Sequence, residues 1–329
     1  MNKDLRPLAF VLTGPTGIGK SAVAAHVADR LPCDLMAMDS MQVYRGLDIG
    51  TAKPGTREQE RYRYRLLDLC PPEAVYTVSA YREAAMAALR EVLDSGRIPL
   101  FVGGTGLYLN ALRYDLHMGQ QEADPAYRRE LQALSEAPGG RAALMEQLRQ
   151  VDPDSAARLH ENDVRRVIRA LEIARVCGST RTQLDRGRPA LAEGPVRFRV
   201  FALDMEREAL YARINERAAK MLEAGWQEEV RGLLSTGLTF DREDGGSSQA
   251  IGYPELEAVL RGRMSPEDAL FLIRRNTRRY AKRQLTWLRH SQDITWIPMS
   301  SGPQAVAQAG DILLAAMRRI LEEEKEEHA

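Results

Sequence analysis

The chain has 329 residues, 44% of them apolar and 28% charged, and its formal net charge is +0. That length allows a sizeable core and two domains. The charge balance excludes a generally basic nucleic-acid coat, so any RNA site must be a local patch.

The first residues, MNKDLRPLAFVLTG, lack the long apolar run and small-residue cleavage site of a signal peptide. No segment is long and apolar enough to span a bilayer. Cys33, Cys70 and Cys177 are odd in number and lack metal-ligand spacing. They read as thiols of a reducing compartment, and the protein is expected to be cytoplasmic, with no membrane partner.

In chain order, Leu8 to Leu12 reads as a buried strand, and helical spacing follows from Lys20 to Leu31. Leu35 to Met38 and Leu66 to Leu69 read as further strands. Ser79 to Leu93 reads as an alanine-rich helix with Ser79 as its N-cap and Gly96 beyond its end. Ile98 to Val102 is the next strand, closed by Gly103-Gly104. Between 125 and 185 the spacing is helical, in AYRRELQALSE, RAALMEQLRQ and NDVRRVIRALEIARV. Strand character returns at Val196 to Leu203. A helix around Glu208 to Leu234, a loop at Gly245-Gly246, a basic helix around Phe271 to His290 and a strand at Ile294 to Ile297 follow. The charged tail LEEEKEEHA is expected to fray. Alternating strands and helices predict an α/β fold, a parallel sheet flanked by helices. The core would be 1–120 with 196–329, and 121–195 a helical insertion.

Residues 14 to 21, GPTGIGKS, fit G-x-x-x-x-G-K-[ST] between a predicted strand and a predicted helix. Gly14, Gly17 and Gly19 let the backbone of Pro15, Thr16 and Ile18 curl inward. The helix N-terminus adds positive potential. Lys20 supplies a charge for phosphate oxygens, and the Ser21 hydroxyl can ligate magnesium. The loop predicts polyphosphate binding but does not name the ligand.

Asp39, at the end of a predicted strand, suits either a magnesium ligand or a proton acceptor. A turn-capping Asp is the plainer reading. Gln42 carries the donor and acceptor needed to read a base edge. Thr105 follows Gly103-Gly104 and can reach the same crevice, at the carboxyl ends of the strands.

From Arg274 to Arg289 the chain reads RRNTRRYAKRQLTWLR, with no acid. At helical spacing Ile273, Tyr280 and Trp287 form an apolar stripe, with most cations on the opposite arc. Such a helix can position RNA by its phosphates, for which the missing acids speak; a solvated charged face is the plainer reading. Arg165, Arg166 and Arg169 form a weaker basic stretch. On these features a small-metabolite P-loop kinase and a nucleotide-gated RNA-binding protein stay open beside a group transferase. The kinase leaves the basic segment and the insertion unused.

Together these motifs resemble the bacterial tRNA dimethylallyltransferases (tRNA isopentenyltransferases). The resemblance spans about residues 8 to 300. It rests on the glycine loop, DSMQVYRGLDIGTAKP at 39 to 54, GGTGLY at 103 to 108, HENDVRRVIRALE, QAIGYPEL and KRQLTWLR. It implies a P-loop NTPase-like core whose helical insertion grips the tRNA anticodon stem-loop. The implied reaction moves a dimethylallyl group from dimethylallyl diphosphate, with Mg2+, to N6 of the adenosine 3′ of the anticodon. By resemblance the loop from Gly14 to Ser21 and Arg217 hold the diphosphate, Asp39 is the general base, and Thr105 and Lys20 assist. The implied tRNA contacts begin with Asp39, Ser40, Met41 and Gln42. In the insertion they are Arg165, Arg166, Val167, Ile168 and Arg169. The later ones are Gln249, Ala250, Ile251, Gly252, Tyr253 and Pro254, then Lys282, Arg283, Gln284, Trp287 and Arg289. A monomer is implied. The chain departs from the family at Gly17-Ile18, at Tyr64, where histidine is usual, and at Pro254.

Overall fold

The computed structural model describes residues 6–114, 124–177, 180, 182, 194–242 and 245–328. Two compact units emerge: Met1–Arg113 with Gly194–Ala329, and Tyr114–Glu193.

The first unit is built on strands β1 (Leu8–Thr13), β2 (Cys33–Ala37), β3 (Ile98–Val102), β4 (Arg197–Asp204) and β5 (Ile294–Pro298). They form one sheet in the order β2-β3-β1-β4-β5, parallel at every pairing. Period-2 alternation splits the strand side chains between two cores. Ala9, Val11, Phe101 and Val200 pack on one face, and Phe10, Leu12, Leu100 and Phe201 on the other. Both faces are covered at the centre of the sheet, which is why β1 and β3 read as unbroken apolar runs. Helices α1 (Lys20–Ala28), α2 (Thr56–Arg61), α3 (Val78–Asp94) and α4 (Gly106–Arg113) precede the insertion. Tyr81 and Leu89 of α3 and Leu109 of α4 fill the first core, and Val23 and Val27 of α1 the second.

The second unit holds α5 (Pro125–Glu136), α6 (Gly140–Val151), α7 (Pro153–Arg158) and α8 (Val164–Cys177). Leu131, Leu144, Leu148, Val167 and Leu171 make its own core. Buried Glu172 is held by Arg128 through two bonds of 2.6 Å each. The side chain of Cys177 lies outside the described residues, as do several positions of the predicted 125–185 helices. Cys33 and Cys70 are buried free thiols.

After the insertion come α9 (Arg207–Glu223), α10 (Trp226–Ser235), α11 (Tyr253–Leu260), α12 (Pro266–His290) and α13 (Ala305–His328). The structure corrects several local expectations. Leu66 to Leu69 is no strand: the flanking Arg65 and Cys70 make isolated bridges to Met36 and Tyr44, and between them Leu66 and Asp68 take φ of 67° and 55°, which turn the chain. The N-cap of α3 is Thr77, whose hydroxyl accepts from Ala80 N at 3.2 Å, not Ser79. The helix expected from Glu208 to Leu234 is two helices, broken at Gly225 with φ 97°. The basic helix starts earlier, at Pro266, capped by Ser265. The acidic tail is helical to His328, and Glu324 pairs with Arg197 at 2.7 and 2.5 Å.

Candidate active site

The glycine loop leaves β1, Asp39 follows β2, and Gly103-Gly104-Thr105 follows β3. Because β3 lies between β2 and β1, these three loops are neighbours along the carboxyl edge of the sheet. Two joined cavities open there. One, of about 320 Å³, is lined by Gly17, Lys20, Ser21, Gln42, Arg213 and Arg217 among others. The second, of about 260 Å³, is more apolar, with Met41, Ile214, Met221, Trp226, Ile251 and Ile273 on its walls. Thr16, Gly17, Asp39, Thr51 and Arg217 line both. A carboxylate and a guanidinium therefore stand where a cationic chamber meets an apolar one.

The glycine loop is wound as expected, with Gly14, Gly17 and Gly19 all at positive φ. Ile18 anchors it in the core, and Arg213 Nε donates to Gly17 O at 3.2 Å. Lys20 Nζ donates to Gly14 O and Pro15 O, both at 3.0 Å. Burial lowers its pKa to about 8, against the raising influence of Asp39, with Arg217 lowering it further. Burial also lowers the Arg217 pKa, Asp39 opposing and Arg213 assisting.

Asp39 is both a turn cap and a cavity group. Its Oδ1 accepts from Met41 N at 2.8 Å and Gln42 N at 3.4 Å, which fixes the carboxylate. Thr105 Oγ1 accepts from Ser40 N at 3.1 Å, so the loops after β2 and β3 are tied together. Gln42 is committed: its Nε2 donates to Thr51 O at 3.1 Å and Ala52 O at 3.3 Å. The amide nitrogen, expected to read a base edge, is thus engaged in holding the turn at 51–52.

Sequence reasoning missed the groups that hold the DIGTAKP loop. Lys53 Nζ donates to Tyr44 O at 2.8 Å and to Asp48 and Asp68 at 2.6 Å each. The Glu229 carboxylate accepts from the N–H groups of Asp48, Ile49 and Gly50 at 3.1, 2.6 and 3.3 Å, and from the Tyr253 hydroxyl at 2.7 Å. Glu229 lies some 180 positions from the loop it holds, so no local pattern could mark it. Tyr280, read only as part of an apolar stripe, lines the second cavity. Burial raises its hydroxyl pKa, and the Asp39 carboxylate raises it further.

The expected RNA segments divide by exposure. Arg165, Arg166 and Arg169 are exposed, whereas Val167 and Ile168 are core residues of the helical unit. Gln249 and Ile251 line the apolar cavity, and Pro254 lines a groove shared with Arg279 and Arg283. Ala250 and Tyr253 are buried, and Gly252 packs against Trp226. The segment 282–289 splits three ways. Arg283 lines the apolar cavity; Lys282 and Arg289 line a separate one with Asp204 and Glu206. Gln284 points inward, and Trp287 packs on Gly106. Among the described residues no cluster of His, Cys, Asp and Glu could hold a metal, and no helix is long and apolar enough to cross a membrane.

A family model described as IPP transferase matches residues 42–291. A tRNA dimethylallyltransferase of Geobacillus thermodenitrificans is 41% identical over 304 residues, 92% of this chain and 94% of that protein. One from Bacillus pumilus is 39% identical over 300 residues, covering 91% and 92%. The crystal structure of a tRNA isopentenylpyrophosphate transferase from Bacillus halodurans superposes with a TM-score of 0.69 at 37% identity. It covers 98% of this chain and all of that one. A eukaryotic dimethylallyltransferase acting on tRNA gives a TM-score of 0.78 at 25% identity, covering 96% and 80%. Sequence, family model and fold agree: the chain belongs to the IPP transferase family.

Proposed function

We propose that this protein transfers a dimethylallyl group from dimethylallyl diphosphate to N6 of the adenosine immediately 3′ of the anticodon in tRNA, releasing diphosphate. The observation that carries the reading is the junction of the two cavities at Asp39 and Arg217. The cationic chamber suits a diphosphate and the apolar one an allyl group with an extruded base.

As the C1–O bond of the donor breaks, negative charge grows on the diphosphate. Lys20, Arg217 and the N–H groups of the glycine loop stabilise it. Positive charge grows on the allyl group, within walls that exclude water and so prevent hydrolysis. The adenine amine attacks C1 and Asp39 takes its proton, so the product is neutral at nitrogen. Thr105 holds the Asp39 loop through Ser40. The base reaches this site by leaving the RNA stack. Arg283 at the cavity and the exposed arginines at 165, 166 and 169 are the proposed phosphate contacts. The helical unit is proposed to grip the anticodon stem-loop.

Magnesium suits the same chamber: the Ser21 hydroxyl offers a hard oxygen ligand beside the diphosphate seat. Bound there, it would neutralise leaving-group charge. We place the protein in the cytoplasm, acting as a monomer.

The test is nucleoside mass spectrometry of unmodified tRNA after incubation with the protein, dimethylallyl diphosphate and magnesium. The expected product is adenosine heavier by one dimethylallyl group at the position 3′ of the anticodon. Label moving instead from ATP to a small acceptor would favour a kinase.

A further inference from the structure

The apolar cavity has two unlike walls, each one stripe of a helix. Ile214, Arg217, Ala218 and Met221 recur at three- and four-residue spacing on α9, so they share a face. Ile273, Thr277, Tyr280 and Arg283 do the same on α12. Apart from Arg217 the α9 wall is apolar, whereas the α12 wall carries an alcohol, a phenol and a guanidinium. Arg217 also lines the cationic chamber. Ile214 packs back on the glycine loop, where a Cβ on Gly17 would lie 2.8 Å from its Cγ1. The open direction for the tail of a donor held at Arg217 is therefore along Ala218 and Met221, which leaves the α12 wall to the polar base.

That direction runs toward Trp226, the first residue of α10, which lines the apolar cavity and not the cationic one. The indole is firmly braced. It is 2% exposed and meets the Tyr253 ring edge-on at 5.8 Å. A Cβ on Gly50 or Gly252 would collide with it. The Gly50 N–H and the Tyr253 hydroxyl both donate to Glu229, which ties the frame around the ring. The indole N–H itself has no hydrogen-bond partner among the described residues. A buried donor without an acceptor is a cost, so the ring contributes bulk at this place and not a hydrogen bond. Resting on the transferase reading, we propose that Trp226 closes the donor channel and limits the donor to an allyl diphosphate of one isoprene unit. The lengths agree. Helix rise places Met221 about 6 Å beyond Arg217. A dimethylallyl tail reaches about 4 Å past its C1, and a geranyl tail about 9 Å. Five further carbons would need on the order of 100–150 Å³ at interior density. That is about half of the cavity of about 260 Å³, which the tail must share with an adenine.

The test is transfer to tRNA from dimethylallyl diphosphate and from geranyl diphosphate, by the full chain as wild type, Trp226→Phe and Trp226→Leu. The wild type should favour the shorter donor about 100-fold or more in kcat/KM. Leucine at this position removes about as many heavy atoms as the longer tail adds, and should raise the geranyl-to-dimethylallyl ratio about 10- to 100-fold. Phenylalanine removes fewer atoms and should raise the ratio about 3- to 10-fold. Mere loss of packing would depress both donors alike, so an unaltered ratio in the variants overturns the proposal. A wild type that uses geranyl diphosphate as well as the shorter donor also overturns it. If Trp226→Leu fails to fold, Trp226→Phe, which keeps a ring and drops the unpaired N–H, decides by its own ratio. Calorimetry with the two diphosphates on the wild type and Trp226→Phe, without tRNA, keeps the two readings apart. A wild type that transfers no prenyl group sinks the transferase reading. The binding ratio still judges Trp226: a rise in the variant upholds the wall, and the same ratio in both proteins removes it.

Discussion

Lys20 and Asp39 line one cavity from two different loops, and the Asp39 carboxylate is the main influence keeping the Lys20 ammonium protonated against burial. The proposed anion seat and the proposed proton acceptor are thus on one side of the sheet, within a single chamber. Had the carboxylate lain on the opposite edge, no transfer chemistry could use both groups.

Asp39→Ala should lower turnover by about 10²–10⁴-fold, the usual worth of a general base. Binding of tRNA should change little, since the cationic surface stays intact. Single-turnover kinetics with saturating tRNA check this, and a rate near that of the wild type removes Asp39 from the role of base.

Donor affinity should depend on pH through Lys20. With its pKa lowered to about 8, the lysine is charged below that value and loses its proton as pH rises through it. A bound diphosphate favours the charged form, so affinity is greatest below pH 8 and falls above it, by at most about tenfold per pH unit. Lys20→Arg keeps its charge and should flatten the profile. Calorimetric titration with inorganic diphosphate across this range is the measurement; a flat wild-type curve contradicts the assignment.

Binding of tRNA should weaken with salt, and Arg283→Ala should reduce the log–log slope by about one. Arg165→Ala should act similarly if the helical unit meets phosphate. Val167→Ala should instead lower stability, by about 1 kcal/mol, because Val167 is fully buried. Filter binding at several salt concentrations separates these effects; a slope unaffected by Arg283→Ala means the residue meets no phosphate.

Glu229→Ala removes the acceptor of three backbone N–H groups and one tyrosine hydroxyl. Leaving such donors without partners should cost about 1–3 kcal/mol. The loop at 48–52 should loosen, and with it Gly50 and Thr51 on the apolar cavity wall. Urea denaturation should show the stability loss, and hydrogen exchange should show faster amides at 48–50. Unaltered exchange there means Glu229 does not hold the loop.

Much of this protein was legible in its sequence for local reasons. A glycine loop between an apolar run and a helical run needs only short-range geometry, so the turn from Gly14 to Ser21 was legible before the fold was known. Asp39 and Thr105 stood out because each follows a strand, and a parallel sheet sends all such ends to one edge; Lys20 stood out from the glycine-loop motif. The failures were also local. Leu66 to Leu69 has the composition of a strand, but left-handed Leu66 and Asp68 answer to the Lys53 ion pairs and the β2 edge, which propensity does not see.

The order of the strands was beyond any reading of spacing, and that order alone brings the loops after β1, β2 and β3 together. So was the direction of each side chain on the basic helix. Spacing along a helix fixes an arc but not what meets it. Packing decided that Gln284 turns inward between Thr16 and Gly104, that Trp287 fills the space beside Gly106, and that Arg283 faces the cavity. The sequence by itself determined the chemical parts, because residue identity and short-range backbone geometry are local. Their partnership was settled only by the tertiary structure, because hydrogen bonds between residues 268 and 180 positions apart exist only once the core has closed.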